Sequence, residues 1–108
     1  MITTNCIDCI ICCFLGVESG VCSWYGDNLD GALTASGERF NSHDMTAAHN
    51  TLPFGTRVRV TIGSRWAVLR INDRGPFGDG RILDVTPVAA KRLGFRDGGI
   101  VPCTVERI

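Results

Sequence analysis

Residues 57–71, which read RVRVTIGSRWAVLRI, decide the fold class. Val58, Val60 and Ile62 alternate with polar residues, so they share one face of a strand. Gly63 and Ser64 provide a tight connection to residues 65–71, a second β-rich run that is apolar on both faces. Such a strand must be covered on each side, as in a closed barrel packed under loops. The stretch therefore predicts a β-hairpin in a closed barrel, with Trp66 in its core.

The rest of the chain is rich in short strands. Residues 21–25, 81–85 and 100–108 read as strands, while the glycine-containing stretches 27–41 and 72–80 read as loops. One helix is predicted over residues 87–93, because Thr86 can act as the N-cap, Pro87 suits the first helical position and Gly94 suits a left-handed C-cap. These segments predict an all-β protein of five or six strands with one short helix.

The composition excludes several classes of protein. A chain of 108 residues has room for one domain, and its 44% hydrophobic content is that of a globular protein. Eleven basic and eleven acidic residues give a net charge of zero, so neither nucleic acid nor an anionic membrane is an expected partner. His43 and His49 are too few, and too poorly spaced, to predict a zinc site, so we expect no metal and no cofactor.

The first twenty residues differ from the rest, and we divide the chain into a leader, residues 1–20, and a domain, residues 21–108. The apolar run 9–17 is too short to span a membrane but has the length of the apolar part of a signal peptide, with Val17 and Ser19 as a cleavage pair. Because Asp8 precedes the run and no basic residue does, a degenerate or truncated signal and an extension that is disordered or packs on the domain remain alternatives.

Six cysteines fall into two groups. Four lie in the leader, and their spacing matches three ligands of a ferredoxin cluster, but Gly16 stands where the fourth ligand would be. We therefore interpret these cysteines as small apolar residues rather than as metal ligands. Cys22 and Cys103 lie near the two ends of the domain, and in an exported protein they could bridge the first strand to the last.

Five blocks of sequence resemble the RlpA (rare lipoprotein A) family in order and spacing. They are SWYG (23–26), TASGERF (34–40), TAAHNTLPFGTRVRV (46–60), RINDRGPFGDGRILDV (70–85) and AAKRLG (89–94). The resemblance implies a six-stranded double-psi β-barrel with one short helix, located in the bacterial envelope and acting on peptidoglycan glycan strands. We also expect a monomer. Some family members are lytic transglycosylases that cleave denuded strands. A module that binds wall glycan without cutting it, as expansins do, is the alternative.

The resemblance also implies three catalytic positions, Glu38, His49 and Asp73. A lytic transglycosylase needs only one carboxyl group for proton transfer, because the muramic acid C6 hydroxyl replaces water as the nucleophile. We assign that role to Asp73, with capping of its loop as the alternative. His49 would stabilise developing negative charge or orient Asp73, unless its ring only bonds a backbone carbonyl. Glu38 would bind a sugar hydroxyl or act as a partner acid, unless it is a solvated surface residue.

Further positions are predicted to contact the substrate. Trp24 and Tyr25 would stack on sugar rings, although Trp24 suits core packing as well. The other expected substrate-binding residues are Asn50, Asn72 and Arg74. Asn41 and Asn50 stand where the family often has Asp and Lys, which removes charge from the expected site. Asp84 is predicted to be structural, tying Thr86 or a neighbouring loop amide.

Overall fold

The computed structural model describes residues 16–78 and 80–108. Six strands and one helix follow each other along the chain: β1 (Val17–Trp24), β2 (Thr46–Ala48), β3 (Arg57–Ile62), β4 (Arg65–Asp73), β5 (Arg81–Val85), α1 (Pro87–Leu93) and β6 (Ile100–Arg107). The strands form a closed barrel in the order β1-β5-β2-β4-β3-β6. The β1–β5 and β2–β4 pairs are parallel and the other pairs are antiparallel. The predicted six-stranded barrel with one short helix is confirmed.

The barrel interior is built from alternate residues of the strands. In the β3–β4 hairpin, Val58, Val60, Leu69 and Ile71 are almost completely buried. Trp66 points to the opposite side of β4 from Leu69 and Ile71 and is 61% exposed, so its predicted place in the core is wrong. Apolar residues occupy both phases of β4, but the buried apolar residues all lie in the phase that faces the barrel interior, because successive side chains point to opposite sides of a strand.

The first strand begins before the predicted domain boundary. Val17 pairs with Glu106 and Ser19 pairs with Thr104, so residues 17–20 belong to the barrel. A signal-peptidase cut after Ser19 would lie inside β1. The rest of the predicted leader, including Cys6, Cys9, Cys12 and Cys13, lies outside the described residues. Within residues 16–78 and 80–108, no helix has the length and apolarity needed to cross a membrane.

A disulfide joins Cys22 of β1 to Cys103 of β6, with the two Cα atoms 5.8 Å apart, as the sequence predicted. Helix α1 is also confirmed, with Pro87 in its first turn and Gly94 in the left-handed conformation, at a φ of 86°. Thr86 is the N-cap residue, as predicted, but its side chain does not cap the helix, since the hydroxyl donates to the Asp44 carbonyl at 2.6 Å instead. Asp84 accepts a hydrogen bond from the Ser23 hydroxyl, so the expected tie to Thr86 is replaced by one to β1.

Candidate active site

The candidate site lies where β4 ends. The Glu38 loop, residues 32–40, folds back on itself through the hydrogen bonds from Thr34 N to Glu38 O (2.8 Å) and from Phe40 N to Ala32 O (2.7 Å). Ser36 N then donates to the Asn72 carbonyl at 3.3 Å, which fixes the loop against the last residues of β4. The loop and the strand end thereby bring two distant sequence blocks together.

Asp73, the last residue of β4, is held by three donors. Its Oδ1 accepts hydrogen bonds from the backbone amides of Ala35 and Arg74, each at 2.9 Å, and its Oδ2 accepts one from the Tyr25 hydroxyl at 2.8 Å. Burial, and secondly the hydrogen bond to Asp73, raise the pKa of Tyr25 far above its ordinary value, so the phenol stays neutral. Asp73 thus caps its loop, as the alternative interpretation predicted, and also contacts a protonated hydroxyl.

Aromatic packing positions Tyr25. Its ring meets the Phe40 ring edge to face, with the centroids 5.1 Å apart. The next residue, Gly26, has a φ of 97°, and a side chain there would overlap the Phe40 ring. A glycine is therefore required for Phe40 to reach Tyr25. The SWYG and GERF blocks meet at this contact, which places the Tyr25 hydroxyl beside Asp73.

Glu38 forms the second half of the site. Its carboxylate binds the Arg70 guanidinium in a bidentate pair at 2.9 and 2.7 Å, and the Asn72 side-chain amide donates to it at 3.0 Å. The hydrogen bond from Arg70 is the main cause that lowers the pKa of Glu38, followed by the one from Asn72. Glu38 is consequently an ionised carboxylate at neutral pH. Asn72 is almost fully buried, and its Oδ1 has no hydrogen-bond partner among the described residues.

The His49 ring takes a different direction from Asp73. Its Nδ1 accepts hydrogen bonds from the backbone amides of Thr51 and Leu52, both at 3.1 Å. Since Nδ1 is an acceptor, the ring proton lies on Nε2 and is donated to the Glu18 carboxylate at 2.9 Å. The ring therefore neither bonds a backbone carbonyl nor orients Asp73 directly. The backbone of His49, rather than its ring, contacts Asp73, because His49 N donates to the Asp73 carbonyl at 3.2 Å.

The three predicted catalytic side chains thus fall into two groups. Asp73 and Glu38 lie on the same loop-and-strand unit, linked through Asn72, whereas the His49 ring faces a cavity of about 220 Å³. The sequence did not point to Glu18, because this residue precedes the predicted first strand and lies 31 positions from His49. The cavity is lined by Gly16, Val17, Glu18, His49, Thr51, Leu52, Val105 and Arg107.

The predicted substrate-binding residues are spread around the site. Arg74 lies next to Asp73 and donates to the His49 carbonyl at 3.2 Å, while its guanidinium covers the Phe54 ring at 4.0 Å. Trp24 is half-buried, and the Arg96 guanidinium lies 4.4 Å from its ring centroid, so part of the ring is covered by the protein. Asn50 is exposed. In the described part of the chain, no group of three or more potential metal ligands is found.

Solved structures with similar architecture identify the fold. The chain superposes on the Streptomyces papain inhibitor with a TM-score of 0.70 and 22% identity, covering 85% of this chain and 94% of that one. It superposes equally well, with a TM-score of 0.70, on a mutant expansin of Clavibacter michiganensis in complex with cellohexaose, at 17% identity and covering 85% of this chain and 50% of that one. Identities this low show the fold alone, and that fold is the predicted double-psi β-barrel.

The family follows from the sequence. The family model described as "Lytic transglycolase" matches residues 17–105, and the chain belongs to this family. A relative from Synechocystis, named a probable endolytic peptidoglycan transglycosylase RlpA, is 50% identical over 86 residues, which are 78% of this chain and 27% of the relative. The endolytic peptidoglycan transglycosylase RlpA of Vibrio cholerae is 45% identical, over 84% of this chain and 35% of its own length. The chain thus spans about a quarter to a third of these relatives.

Proposed function

We propose that the protein is an endolytic peptidoglycan lytic transglycosylase, which cleaves the bond between MurNAc and GlcNAc in denuded glycan strands and leaves 1,6-anhydro-muramyl ends. The family and the names of its relatives support this assignment. The observation that carries it is the Tyr25–Asp73 hydrogen bond at the end of β4, beside the ionised Glu38. This bond gives the Asp73 carboxyl group a hydroxyl partner that can hydrogen-bond to it both before and after a proton transfer.

Asp73 is assigned the proton transfers. As an acid it would protonate the GlcNAc oxygen when the bond to the anomeric carbon breaks, and as a base it would then accept the proton of the muramic acid C6 hydroxyl as that oxygen closes the anhydro ring. No water is consumed, and the carboxyl group returns to its first state. A neutral Tyr25 hydroxyl can donate to the ionised carboxylate or accept from the protonated acid, so Asp73 keeps this partner in both states.

Glu38 is assigned a role as a fixed anion. Arg70 keeps it ionised, so it is unsuited to donate a proton at neutral pH. A carboxylate held in place can accept a sugar hydroxyl hydrogen bond and stabilise the positive charge that develops on the anomeric carbon. The partly exposed guanidinium of Arg70 and the amide of Asn72 would set the position of this charge.

His49 is assigned a positioning role. Its ring is held by Glu18 and by two backbone amides, and its own amide and carbonyl bind Asp73 and Arg74. The arrangement would keep Asp73 and Arg74 in fixed positions during the reaction. Tyr25 and Arg74 lie next to Asp73 and would contact the sugars on either side of the cleaved bond, whereas Trp24 and Asn50 would contact sugars further away. Asn72 is almost fully buried, so it would act on the substrate only through Glu38.

A binding module without catalysis is the second candidate. One observation favours it: Asp73 is already bonded to three donors and Glu38 to two side chains, so each carboxylate is occupied by the protein itself. Such a protein would dock on wall glycan and release no products. Both candidates predict binding to peptide-free glycan, and only the first predicts cleavage.

The deciding experiment is an incubation with purified, peptide-stripped glycan strands, followed by mass analysis of the soluble products. The wild type is expected to release fragments that end in 1,6-anhydro-muramic acid. The variant Asp73→Asn keeps the shape of the side chain but cannot transfer the proton, so its products should disappear. Asp97→Asn is the matched control, because Asp97 is an exposed aspartate in the turn before β6.

The disulfide between Cys22 and Cys103 supports an exported protein, since such bonds persist in the periplasm and outside the cell. We therefore infer that the domain works in the cell envelope, where its proposed substrate lies. We also expect it to act as a monomer. Light scattering on the purified domain would contradict that expectation if it gave a larger mass.

A further inference from the structure

The outer surface of the β3–β4 hairpin carries side chains that the barrel does not use. Cross-strand pairs put three residues of each strand on this surface, because alternate residues share a side and Val60, Leu69 and Ile71 fill the interior. We call this surface the hairpin face. Its members are Arg57, Arg59, Thr61, Trp66, Val68 and Arg70.

Trp66 is the prominent residue of the hairpin face. It stands opposite Thr61 in the β3–β4 hairpin, two residues after the turn, where β4 pairs with β3 and its pairing with β2 has not yet begun. The Arg59 guanidinium lies 5.5 Å from the ring centroid, and the residue is still 61% exposed. An indole has a large flat apolar surface, and the C–H face of a pyranose ring is apolar as well. An open indole on a hairpin strand is therefore suited to stack on a sugar.

The hairpin face leads directly to the candidate active site. Arg70, which binds Glu38, lies on the same side of β4 as Trp66, four residues further along the strand. Four residues of extended strand cover about 13 Å. That distance exceeds the length of one sugar ring. A glycan chain bound at Glu38 could therefore continue along β4 and place a more distant sugar at Trp66.

The positive charges of the hairpin face also complement the negative charges of a glycan chain. Every muramic acid of a peptide-stripped glycan carries a free lactyl carboxylate, so the polymer is an anion with regularly spaced charges. Arg57 and Arg59 are both exposed on this surface. Arg59 has only a loose contact with Glu106, at 3.9 Å and half exposed, which contributes little stability and leaves the guanidinium able to bind another carboxylate.

We propose that the hairpin face is a second glycan-binding subsite, in which Trp66 stacks on a pyranose ring while Arg57 and Arg59 bind lactyl carboxylates. The inference rests on the proposed function for the class of substrate. It adds a binding site away from the cleaved bond, and it explains why an aromatic residue stands exposed on the outside of the barrel.

Titration calorimetry with two probes tests the proposal. The probes are peptide-stripped glycan strands, which are anionic, and chitohexaose, which is neutral. Trp66→Ala is expected to weaken the binding of both probes about tenfold, because both offer pyranose rings. Arg57→Gln is expected to weaken only the binding of the anionic probe, and this effect should shrink at high salt.

Ile100→Ala is the matched control. Ile100 is 64% exposed, close to the value for Trp66, but it lies on β6 where that strand pairs with β1, away from the hairpin face. Its substitution should leave both affinities unchanged. An unchanged affinity of Trp66→Ala for both probes, or a wild type that binds neither probe, would overturn the proposal.

The outcomes also separate this proposal from the proposed function. A wild type that releases no anhydro-muramyl products, together with weaker binding by Trp66→Ala, would refute the transglycosylase and support the subsite. A Trp66→Ala variant that binds with wild-type affinity and still releases products would refute the subsite and support the transglycosylase.

Discussion

At the scale of single residues, Tyr25 offers a spectroscopic test of the site, because it is the only tyrosine in the chain. Burial and the bond to Asp73 raise the pKa of Tyr25, so its stabilising contribution is complete below the ordinary value of about 10 and is lost only at more alkaline pH. Absorbance at 295 nm should therefore show no phenolate in the native protein near pH 10.

Asp73→Asn should lower the pH at which Tyr25 ionises, because it removes the carboxylate while burial remains. A native wild type that ionises near pH 10, or an Asp73→Asn variant that ionises at the same pH as the wild type, would contradict the described contact.

Glu38 gives the second residue-level prediction. Its pKa is lowered in the folded state, so the pair with Arg70 stabilises the protein above the ordinary glutamate pKa of about 4.3 and loses that effect as the pH falls through the lower folded-state value. Because both side chains are more than a third exposed, solvent limits the contribution to about 1 kcal/mol or less.

Urea unfolding of the wild type and of Glu38→Gln, measured between pH 7 and pH 2, tests this. The wild type should be the more stable of the two at pH 7, and the difference should vanish in acid. A difference that stays constant over the whole range would show that the effect does not come from the charge of Glu38.

The sequence provided candidate residues for the site but did not predict their contacts. Resemblance selected Glu38 and Asp73, and the Glu38 loop packs against Asp73 at the end of β4, while the catalytic roles of the two residues stay predictions. It did not predict that the His49 ring turns to Glu18, because that contact depends on the pairing of β1 with β6, and local patterns do not determine a long-range register.

At the scale of elements, the β3–β4 hairpin shows where a pattern is sufficient and where it is not. The alternation of Val58, Val60 and Ile62 predicted β3, and the two-residue connection predicted the turn. In β4 both phases are apolar, so the pattern left open which phase faces the interior. Only the closure of the barrel decides that Leu69 is buried and that Trp66 is exposed.

The start of β1 gives a prediction at this scale. Glu18→Gln keeps the size of the side chain but replaces the charge that accepts the His49 proton, and Glu18→Ala leaves that buried N–H without its acceptor. Glu18→Ala should therefore lower the free energy of unfolding by about 1–2 kcal/mol, and Glu18→Gln by less. Denaturant unfolding curves measure both values.

Glu106→Ala is the matched control, because Glu106 is a strand carboxylate that makes only a loose pair with Arg59. Equal losses for Glu18→Ala and Glu106→Ala would contradict the idea that β1 anchors His49.

At the scale of the whole molecule, the disulfide holds the barrel closed between its first and last strands. Cys22 and Cys103 are 81 positions apart, so the bond strongly restricts the unfolded chain. The double variant Cys22→Ala, Cys103→Ala should unfold with a free energy lower by about 2–4 kcal/mol, measured in urea. A stability equal to that of the wild type would show that the strand pairing alone closes the barrel.

The topology was accessible only through resemblance. Strand lengths, turns and the helix follow from local patterns, because glycine, proline and alternating apolar residues mark them. The parallel β1–β5 and β2–β4 pairs join strands that are far apart along the chain, and no local pattern specifies such pairs. The five quoted blocks predicted the barrel because they match a family, and the closed strand order confirms it.

Proton transfer by Asp73 in a lytic transglycosylase can be tested by mass analysis of peptide-stripped glycan after incubation with the domain. The wild type and Asp97→Asn should give 1,6-anhydro-muramyl ends, and folded Asp73→Asn should give none. Glycan that binds to the wild type and remains uncut, or products that persist in Asp73→Asn, would contradict it.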